Sequence, residues 1–436
     1  MKLHLASIAN DFPTHSNKGG ICLKLRHILI AVSGVLLFSL FLFLFNNTKV
    51  VITSAPVQEP ITLRVALWKD VSTECTEKII DAFMRDHPNI KIETITYSPT
   101  TYSSSLEALV NGQQPADIFF IQKLTQLSNL SSKGLLKPLD FSLSQSKFSP
   151  EDFLCFEQLT NPEDGAHYAL PYKVEKNFLY YNKDIFDELG IPYPDQSITW
   201  SEFRDLGNLL TEQILKKGEQ KLKAILLLPD ATQLISMTIP DLMTILSGDN
   251  ICIQKSLHYM QNLLNDQSIL PFSFCFERNY SQQVFETGNF AMFVGSSNYI
   301  QTLIKDSSTK KFNFKWGVSF QPCWPEETGG DLLKHVVPVC IYRYTEHPDA
   351  AWEFLSYVCG KEGASILARE MMIPAYMKQE IKNILLDSLI SHNIDNALFN
   401  DTNKIGVSNL LSKGDADLMQ EKENLYLYAL LQLTPF

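Results

Sequence analysis

Strand and helix patterns alternate along residues 63–121, which follow an apolar N-terminal run. Residues 63–67 alternate like a strand, residues 74–85 place apolar side chains on one helical face, and apolar residues recur through 90–95 as in a second strand. A helical stretch at 102–110 leads to the apolar run 117–121, which is typical of a fully buried strand. This order predicts an α/β fold, a parallel sheet covered by helices.

Two helices further along the chain have clear start signals. Thr199 is followed three residues later by Glu202, a capping box that opens a helix running through Leu215. Pro348 stands before the helical pattern at 350–358, and a proline at this position loses no backbone hydrogen bond. The chain has 436 residues, 45% of them hydrophobic, so it can bury a core in roughly two to three domain-sized units.

An apolar run at residues 28–45 precedes this folded body. Only Ser33, Gly34 and Ser39 in it are not apolar, and a helix of this length would cover about 27 Å, nearly the hydrocarbon thickness of a bilayer. Four basic residues and one acidic residue precede the run. The positive-inside rule therefore places the N-terminus in the cytoplasm and the body outside the cell membrane.

Two interpretations of this run remain open, an uncleaved anchor and a cleaved signal peptide. A signal peptide usually has a shorter apolar core with a small-residue cleavage site close behind it, whereas the nearest such triplet here is 53–55. We therefore expect an anchor. The predicted order is a cytoplasmic segment at 1–27, the transmembrane anchor or signal segment at 28–45, a linker at 46–60 and the folded body at 61–436.

The charge pattern and the motifs exclude several classes of protein. The net charge is −11 and no basic run tracks a phosphate backbone, which argues against a nucleic-acid partner. Seven cysteines follow the apolar run without a C-x-x-C pair or a zinc-like spacing, so we interpret them as small buried hydrophobic residues. The common phosphate-binding, dinucleotide-binding, zinc-protease and serine-hydrolase motifs are missing. We expect no metal, no cofactor and no enzymatic activity.

The stretch at residues 168–203 carries a long and specific pattern. It reads YALPYKVEKNFLYYNKDIFDELGIPYPDQSITWSEF, and three shorter stretches follow in matching order at 285–295, 316–322 and 347–355. Together they make the chain resemble the family 1 extracellular solute-binding proteins, the family that includes maltose-binding protein. The resemblance covers roughly residues 60–385.

The resemblance implies a two-lobed periplasmic-binding-protein fold of type II. Two α/β lobes joined by hinge strands would close around a ligand in the interlobe cleft. Chain order then places the first lobe at about 61–170 and 337–383, and the second at about 171–336 and 384–436. The implied function is the extracellular capture of a carbohydrate, a mono- or oligosaccharide, by a monomer that delivers it to the permease subunits of an ABC importer.

Two other classes use the same scaffold and stay open at this point. A ligand-sensing subunit would present its closed form to a membrane sensor kinase. A glycan-acting enzyme would turn over a bound sugar. The missing catalytic motifs disfavour the enzyme, and the resemblance favours the transport component.

Candidate site residues follow from the rule that ligands of open α/β sheets bind beyond the carboxyl ends of the strands. A sugar needs planar hydrogen-bonding side chains for its hydroxyls and aromatic rings for its C–H faces. Trp68, Tyr172 and Tyr299 are the candidates for stacking. The residues expected to bind the ligand are Trp68, Lys69, Gln122, Tyr172, Glu175, Asn177, Ser297, Asn298, Tyr299 and Asp331.

For two of these residues a structural alternative stays open. Glu175 matches the position of a ligand carboxylate in the resembled family, but a solvated charge at the hinge would occupy the same place. Trp68 could equally be a core tryptophan. The sequence Ser-Ser-Asn-Tyr at 296–299 departs from the family, which often places a ring-stacking tryptophan there, so the identity of the ligand stays open.

Overall fold

The computed structural model describes residues 60–70, 72–111, 115–239, 245–246, 250–323, 335–400 and 409–435, together with Ser39. The folded body is the unit Pro60–Phe436. Apart from Ser39, the predicted apolar segment 28–45 lies outside the described residues, so the anchor stays a prediction. Within the described parts of the chain, no helix is both long and apolar enough to cross a membrane.

The strands of the described residues form two separate sheets. In chain order they are β1 (Ile61–Trp68), β2 (Ile90–Tyr97), β3 (Ile118–Phe120), β4 (Ala169–Glu175), β5 (Asn177–Asn182), β6 (Lys223–Leu226), β7 (Phe290–Ser296), β8 (Trp316–Phe320), β9 (His335–Ile341) and β10 (Ile373–Pro374). The larger sheet has the order β10-β4-β9-β3-β1-β2, and the smaller has the order β6-β7-β5-β8. Each sheet is the centre of one lobe.

Helices surround both sheets. They are α1 (Thr73–Asp86), α2 (Pro99–Asn111), α3 (Leu124–Ser132), α4 (Asp140–Ser144), α5 (Lys183–Leu189), α6 (Trp200–Lys217), α7 (Ala231–Thr238), α8 (Ile251–Asn265), α9 (Phe272–Glu277), α10 (Tyr299–Ser308), α11 (Pro348–Cys359), α12 (Lys361–Arg369), α13 (Gln379–Ser391), α14 (Ala397–Asn400) and α15 (Lys413–Gln432). Short 3-10 turns occur at Pro150–Asp152, Glu157–Leu159 and Gln282–Thr287.

The sheet of the first lobe is mixed, which corrects the prediction of a purely parallel sheet. β1 pairs in parallel with β2 and β3, as the alternating pattern predicts. β9, however, lies antiparallel between β3 and β4. It reaches this sheet after the chain has passed through the second lobe, so it runs in the opposite direction. The lobe boundaries deduced from the family resemblance stay a prediction.

The second sheet begins almost where β4 ends. Only Lys176 separates β4 from β5. Side chains of β5 alternate between two hydrophobic clusters, with Phe178 and Tyr180 in one and Leu179 and Tyr181 in the other. This period of two is the property of a strand covered on both faces. β5 is therefore packed on both faces up to Phe178, two residues after the crossover residue Lys176.

The structure confirms both predicted helix starts. Thr199 N donates to Glu202 Oε2 over 2.8 Å, and Glu202 N donates to Thr199 Oγ1 over 3.2 Å, which completes the capping box of α6. Pro348 begins α11. Trp200 is fully buried between Phe203 and Tyr259 and is therefore part of the core.

Five of the seven cysteines that follow the apolar run are buried, as expected of small hydrophobic residues: Cys75, Cys155, Cys275, Cys340 and Cys359. Cys252 and Cys323 are half-buried. Burial raises the pKa of the Cys75 thiol to about 12 and that of Cys275 to about 11. These thiols are therefore protonated at neutral pH and poorly reactive.

Candidate ligand-binding site

The two sheets meet at the carboxyl ends of their strands. β1 and β4 run in the same direction and end at Trp68 and Glu175. In the second sheet, β7 ends at Ser296, which pairs with Asn177 at the start of β5. The crossover from β4 to β5 lies between them. Ligands of open α/β sheets bind at such an edge.

A chain of hydrogen bonds begins at the indole of Trp68. Trp68 Nε1 donates to Asp70 Oδ2 over 2.7 Å. Asp70 Oδ1 accepts from Ser72 Oγ at 2.6 Å and from the Ser72 backbone N–H at 2.8 Å. Ser72 Oγ in turn accepts from Lys173 Nζ at 2.7 Å. These bonds fix the turn between β1 and α1 and hold the indole beside a carboxylate.

The same chain continues from Lys173 into the second lobe. Lys173 Nζ forms an ion pair with Glu175 Oε1 at 2.9 Å, and the two side chains are 2% and 18% exposed. Glu175 Oε2 accepts from Ser296 Oγ at 3.1 Å. Ser296 Oγ also accepts from the backbone N–H of Asn298 at 3.3 Å. One continuous polar network therefore joins the ends of β1, β4 and β7.

Charge pairing sets the protonation of this network. Burial alone would raise the pKa of Glu175, but attraction from Lys173 and His335 lowers it to about 2. Burial also opposes the charge on Lys173, yet Glu175 and Asp70 outweigh it and raise the pKa of its ammonium. Burial lowers the pKa of His335, which lies opposite Glu175 on β9. Near pH 7 Glu175 is therefore ionised and Lys173 is protonated, while the neighbouring His335 imidazole is neutral.

A small recess opens at this edge of the first lobe. Its polar lining is Asp70, Ser72, Thr73, Thr76, Tyr172 and Lys173, and its apolar lining includes Trp68 and Phe120. The recess encloses about 10 Å³, which is room for about one water molecule. A sugar ring therefore needs the surrounding side chains or the lobes to move apart.

The structure places the first-lobe candidates at different distances from the recess. Trp68 and Tyr172 line it. The Tyr172 ring is almost fully buried, its hydroxyl is 3.2 Å from Thr76 Oγ1, and its ring meets Phe120 edge-on. Lys69 is exposed next to the recess without lining it. Gln122 Nε2 donates to the Pro99 carbonyl over 3.2 Å, so its side chain is held at the start of α2.

The second-lobe candidates surround the crossover. Asn177 Oδ1 accepts from Gln233 Nε2 at 3.3 Å. Ser297 N donates to the Lys176 carbonyl at 2.7 Å, and Ser297 Oγ accepts from Lys176 N at 3.2 Å. Asn298 is 3% exposed, and its Oδ1 has no hydrogen-bond partner among the described residues. Asn177 begins β5 and Asn298 directly precedes α10, and a contact of either side chain with a ligand stays a prediction.

Tyr299 belongs to the interior of the second lobe. Its side chain is fully buried, its hydroxyl donates to Glu286 Oε1 at 3.0 Å, and its ring meets Tyr180 and Phe293 edge-on. Stacking on a ligand would require this ring to leave the core. Asp331 lies outside the described residues, so its role stays a prediction.

The sequence does not predict several residues of the network. Asp70, Ser72, Lys173 and Ser296 were not among the expected site residues. Lys173 carried a usable signal, because side chains two positions apart on a strand share one face and Lys173 precedes Glu175 by two. Asp70 and Ser72 carried no comparable signal, since their role depends on the turn that follows β1.

Two α/β lobes, a one-residue crossover and a polar strand edge at that crossover define a two-lobed ligand-binding protein. The profile of the bacterial extracellular solute-binding protein family matches residues 70–365, more than half of the chain. The chain belongs to this family.

Curated relatives match a shorter part of the chain. An uncharacterized ABC transporter extracellular-binding protein of Pyrococcus horikoshii is 28% identical over 155 residues, 35% of each chain. The mannitol-binding protein of Pseudomonas aeruginosa is 23% identical over 146 residues, 32% of each chain. The match thus spans about a third of the length of these relatives.

Solved structures share the fold over most of its length. An ABC substrate-binding protein of Listeria monocytogenes in complex with cycloalternan has a TM-score of 0.69 and 16% identity, covering 85% of this chain and 93% of the other. A solute-binding protein of Agrobacterium vitis with bound D-mannitol has a TM-score of 0.66 and 17% identity, covering 86% and 94%. A Rhizobium etli sugar transporter in an open conformation has a TM-score of 0.63 and 21% identity, covering 85% and 98%. At these identities the similarity establishes the fold alone.

Proposed function

We propose that this protein captures a carbohydrate outside the cell and delivers it to the permease of an ABC importer. The observation that carries the proposal is the hydrogen-bonded network from Trp68 to Ser296, which brings carboxylates, hydroxyls and an indole to the edge where the lobes meet. These groups suit a sugar or polyol, because carboxylates accept hydrogen bonds from hydroxyls and an aromatic ring packs on C–H faces. Three similar proteins support this ligand class. One relative is named a mannitol-binding protein, and two structures with a similar fold contain D-mannitol and cycloalternan.

The proposed mechanism is closure of the two lobes about the crossover at Lys176. The recess of about 10 Å³ is too small for a sugar, so the ligand binds when the lobes are apart. Trp68, Asp70 and Glu175 then approach it from the first lobe, and Asn177 and Asn298 approach it from the second. A ligand that contacts both lobes only in the closed form shifts the equilibrium by its differential affinity.

The proposed location follows from the family and from the N-terminal sequence. The binding body, residues 61–436, lies outside the cell, and the segment at 28–45 holds it to the membrane with the N-terminus in the cytoplasm. The partners are a carbohydrate and the permease subunits, and the protein acts as a monomer. Its chemistry is binding alone, without catalysis.

A thermal-shift screen of the unit Pro60–Phe436 against monosaccharides, oligosaccharides and polyols tests the ligand class. A ligand present at a hundred times its dissociation constant adds about 2.7 kcal/mol to the free energy of unfolding. Trp68→Ala should lose this stabilisation. A cooperatively melting protein that no carbohydrate or polyol stabilises would refute the proposed ligand class. Uptake of the identified ligand by cells with and without the protein tests delivery.

A further inference from the structure

Five polar side chains outside the lining of the recess join the two lobes, and we call them the interlobe clasp: Glu74, Lys78, Gln301, Lys305 and Glu370. Across the lobes, Lys305 Nζ pairs with Glu74 Oε2, and Gln301 Nε2 donates to Glu370 Oε2. Within the first lobe, Lys78 Nζ lies 2.6 Å from Glu370 Oε1 and 3.8 Å from Glu74 Oε1. Lys78 therefore holds both acceptors in place.

Two helices, α1 and α10, carry four of the five clasp residues. Glu74 and Lys78 lie one turn apart on α1, and Gln301 and Lys305 lie one turn apart on α10. Side chains four residues apart share one face of a helix, so Gln301 and Lys305 both face the first lobe, where Lys305 meets Glu74 on α1 and Gln301 meets Glu370. Glu370 follows directly after α12, which packs on α1. Separation of the lobes must break both cross-lobe contacts together.

The charges of the clasp favour the closed arrangement. The first lobe contributes Glu74, Lys78 and Glu370, a net charge of −1, and the second lobe contributes Lys305 with its positive charge. The hydrogen bond from Lys305 outweighs the opposing effect of burial and lowers the pKa of Glu74, which keeps this carboxylate ionised. When the lobes open, Lys305 loses its contact with Glu74. The net negative charge of the three first-lobe clasp residues is then no longer neutralised.

We infer that the interlobe clasp holds the two lobes together in the absence of ligand and sets the fraction of molecules that stand open. None of its five residues lines the recess. The inference rests on the two-lobed fold and does not depend on the chemical class of the ligand. The side chains of Glu74, Lys78 and Lys305 are about half exposed, so solvent screens the pairs. Each pair should therefore bias the equilibrium about two- to fivefold.

Single-molecule energy transfer on the ligand-free protein tests this inference. Dyes are attached to ketone-bearing phenylalanine analogues at Phe141 in the first lobe and Leu215 in the second, which are 78% and 61% exposed, so the buried thiols stay untouched. The variants are Glu74→Lys, Lys305→Glu and the double variant that swaps the two charges. Lys361→Glu is the matched control, because Lys361 pairs with Glu380 at 3.0 Å between two neighbouring helices and is similarly exposed.

Each single variant places like charges opposite each other, so we expect the open-to-closed ratio to rise about two- to fivefold or more. The double variant should return the ratio toward that of the parent protein, and the control should leave it unchanged. About 1 M salt should reduce the differences, because the Debye length then falls to about 3 Å. Equal ratios in all variants, or single variants that the double swap does not restore, would overturn the inference. Since no ligand is added, neither result bears on the carbohydrate proposal.

Discussion

Lys173 and Glu175 form an ion pair of 2.9 Å within one strand, almost removed from solvent. The two residues share a face of β4 because they are two positions apart. Lys173 is also bonded to Ser72 on the first lobe, and Glu175 to Ser296 on the second. The pair therefore contributes to the stability of the folded body as well as to the proposed binding edge. The loss of stability when the pair is removed can be measured without any ligand.

Glu175→Gln should lower the free energy of unfolding by about 3–5 kcal/mol, because it leaves the buried ammonium of Lys173 without its counter-charge. Urea denaturation of the unit Pro60–Phe436 measures this loss. The double variant Lys173→Met with Glu175→Gln should lose less than the single change, since no unpaired charge remains. Glu212→Gln removes a carboxylate from an exposed pair of 2.6 Å and should change stability by less than about 1 kcal/mol. A single and a double variant with equal losses would contradict a role for charge pairing.

Stability should also fall in acid because of Glu175. Its pKa in the folded protein is about 2, below the ordinary 4.5, so its contribution is present above pH 4.5 and is lost as the pH falls toward 2. The contribution is about 3 kcal/mol. The lowered pKa of His335 acts in the same direction, since the unfolded chain takes up this proton more readily. The stability gap between the parent and Glu175→Gln should therefore narrow from pH 6 to pH 3, and a constant gap would disprove the assignment.

Two conservative substitutions at the recess should weaken ligand binding. Trp68→Phe keeps a ring but removes the indole N–H that donates to Asp70, and Asp70→Asn removes the carboxylate charge. Either change leaves polar groups of a bound sugar less well matched, a penalty of about 1–3 kcal/mol or a five- to hundredfold loss of affinity. Calorimetry with a ligand from the thermal-shift screen measures it. Trp352→Phe on α11, outside the recess, is the control and should bind as the parent does. Unchanged affinity in both recess variants would move the site elsewhere.

The N-terminal segment should keep the protein in the membrane fraction. The apolar run at 28–45 and its basic flank fit an anchor, and the nearest cleavage-like triplet at 53–55 is distant from it. Membrane fractionation followed by N-terminal sequencing decides between the two interpretations. A released form that begins near Pro56 would show that the segment is a cleaved signal peptide.

The sequence predicted those features that depend on neighbouring residues. The capping box of Thr199 and Glu202 could be predicted because its hydrogen bonds close within one turn. The antiparallel placement of β9 could not, since periodicity carries no information about which strand lies beside another. Trp68 and Glu175, which the sequence places near strand ends, do end β1 and β4, and their contact with a ligand stays a prediction. The hydrogen bond that Lys173 donates to Ser72 spans 101 positions and depends on the folded sheet, so no local pattern predicts it.

The insertion of β9 between β3 and β4 has a consequence for the order in which a growing chain can acquire structure. β5 to β8 come from one continuous stretch, so the second sheet can be completed while the first still lacks its middle strand. Until residues 335–341 emerge, β3 has an open edge and β4 has no neighbour, and open edges invite aggregation. In amide exchange of a chain that ends before residue 335, we expect protection of β5 and β7 without that of β4, and equal protection of these strands would contradict this order. The strands of the first sheet therefore remain exposed longest, because β9 follows the whole second sheet in the chain.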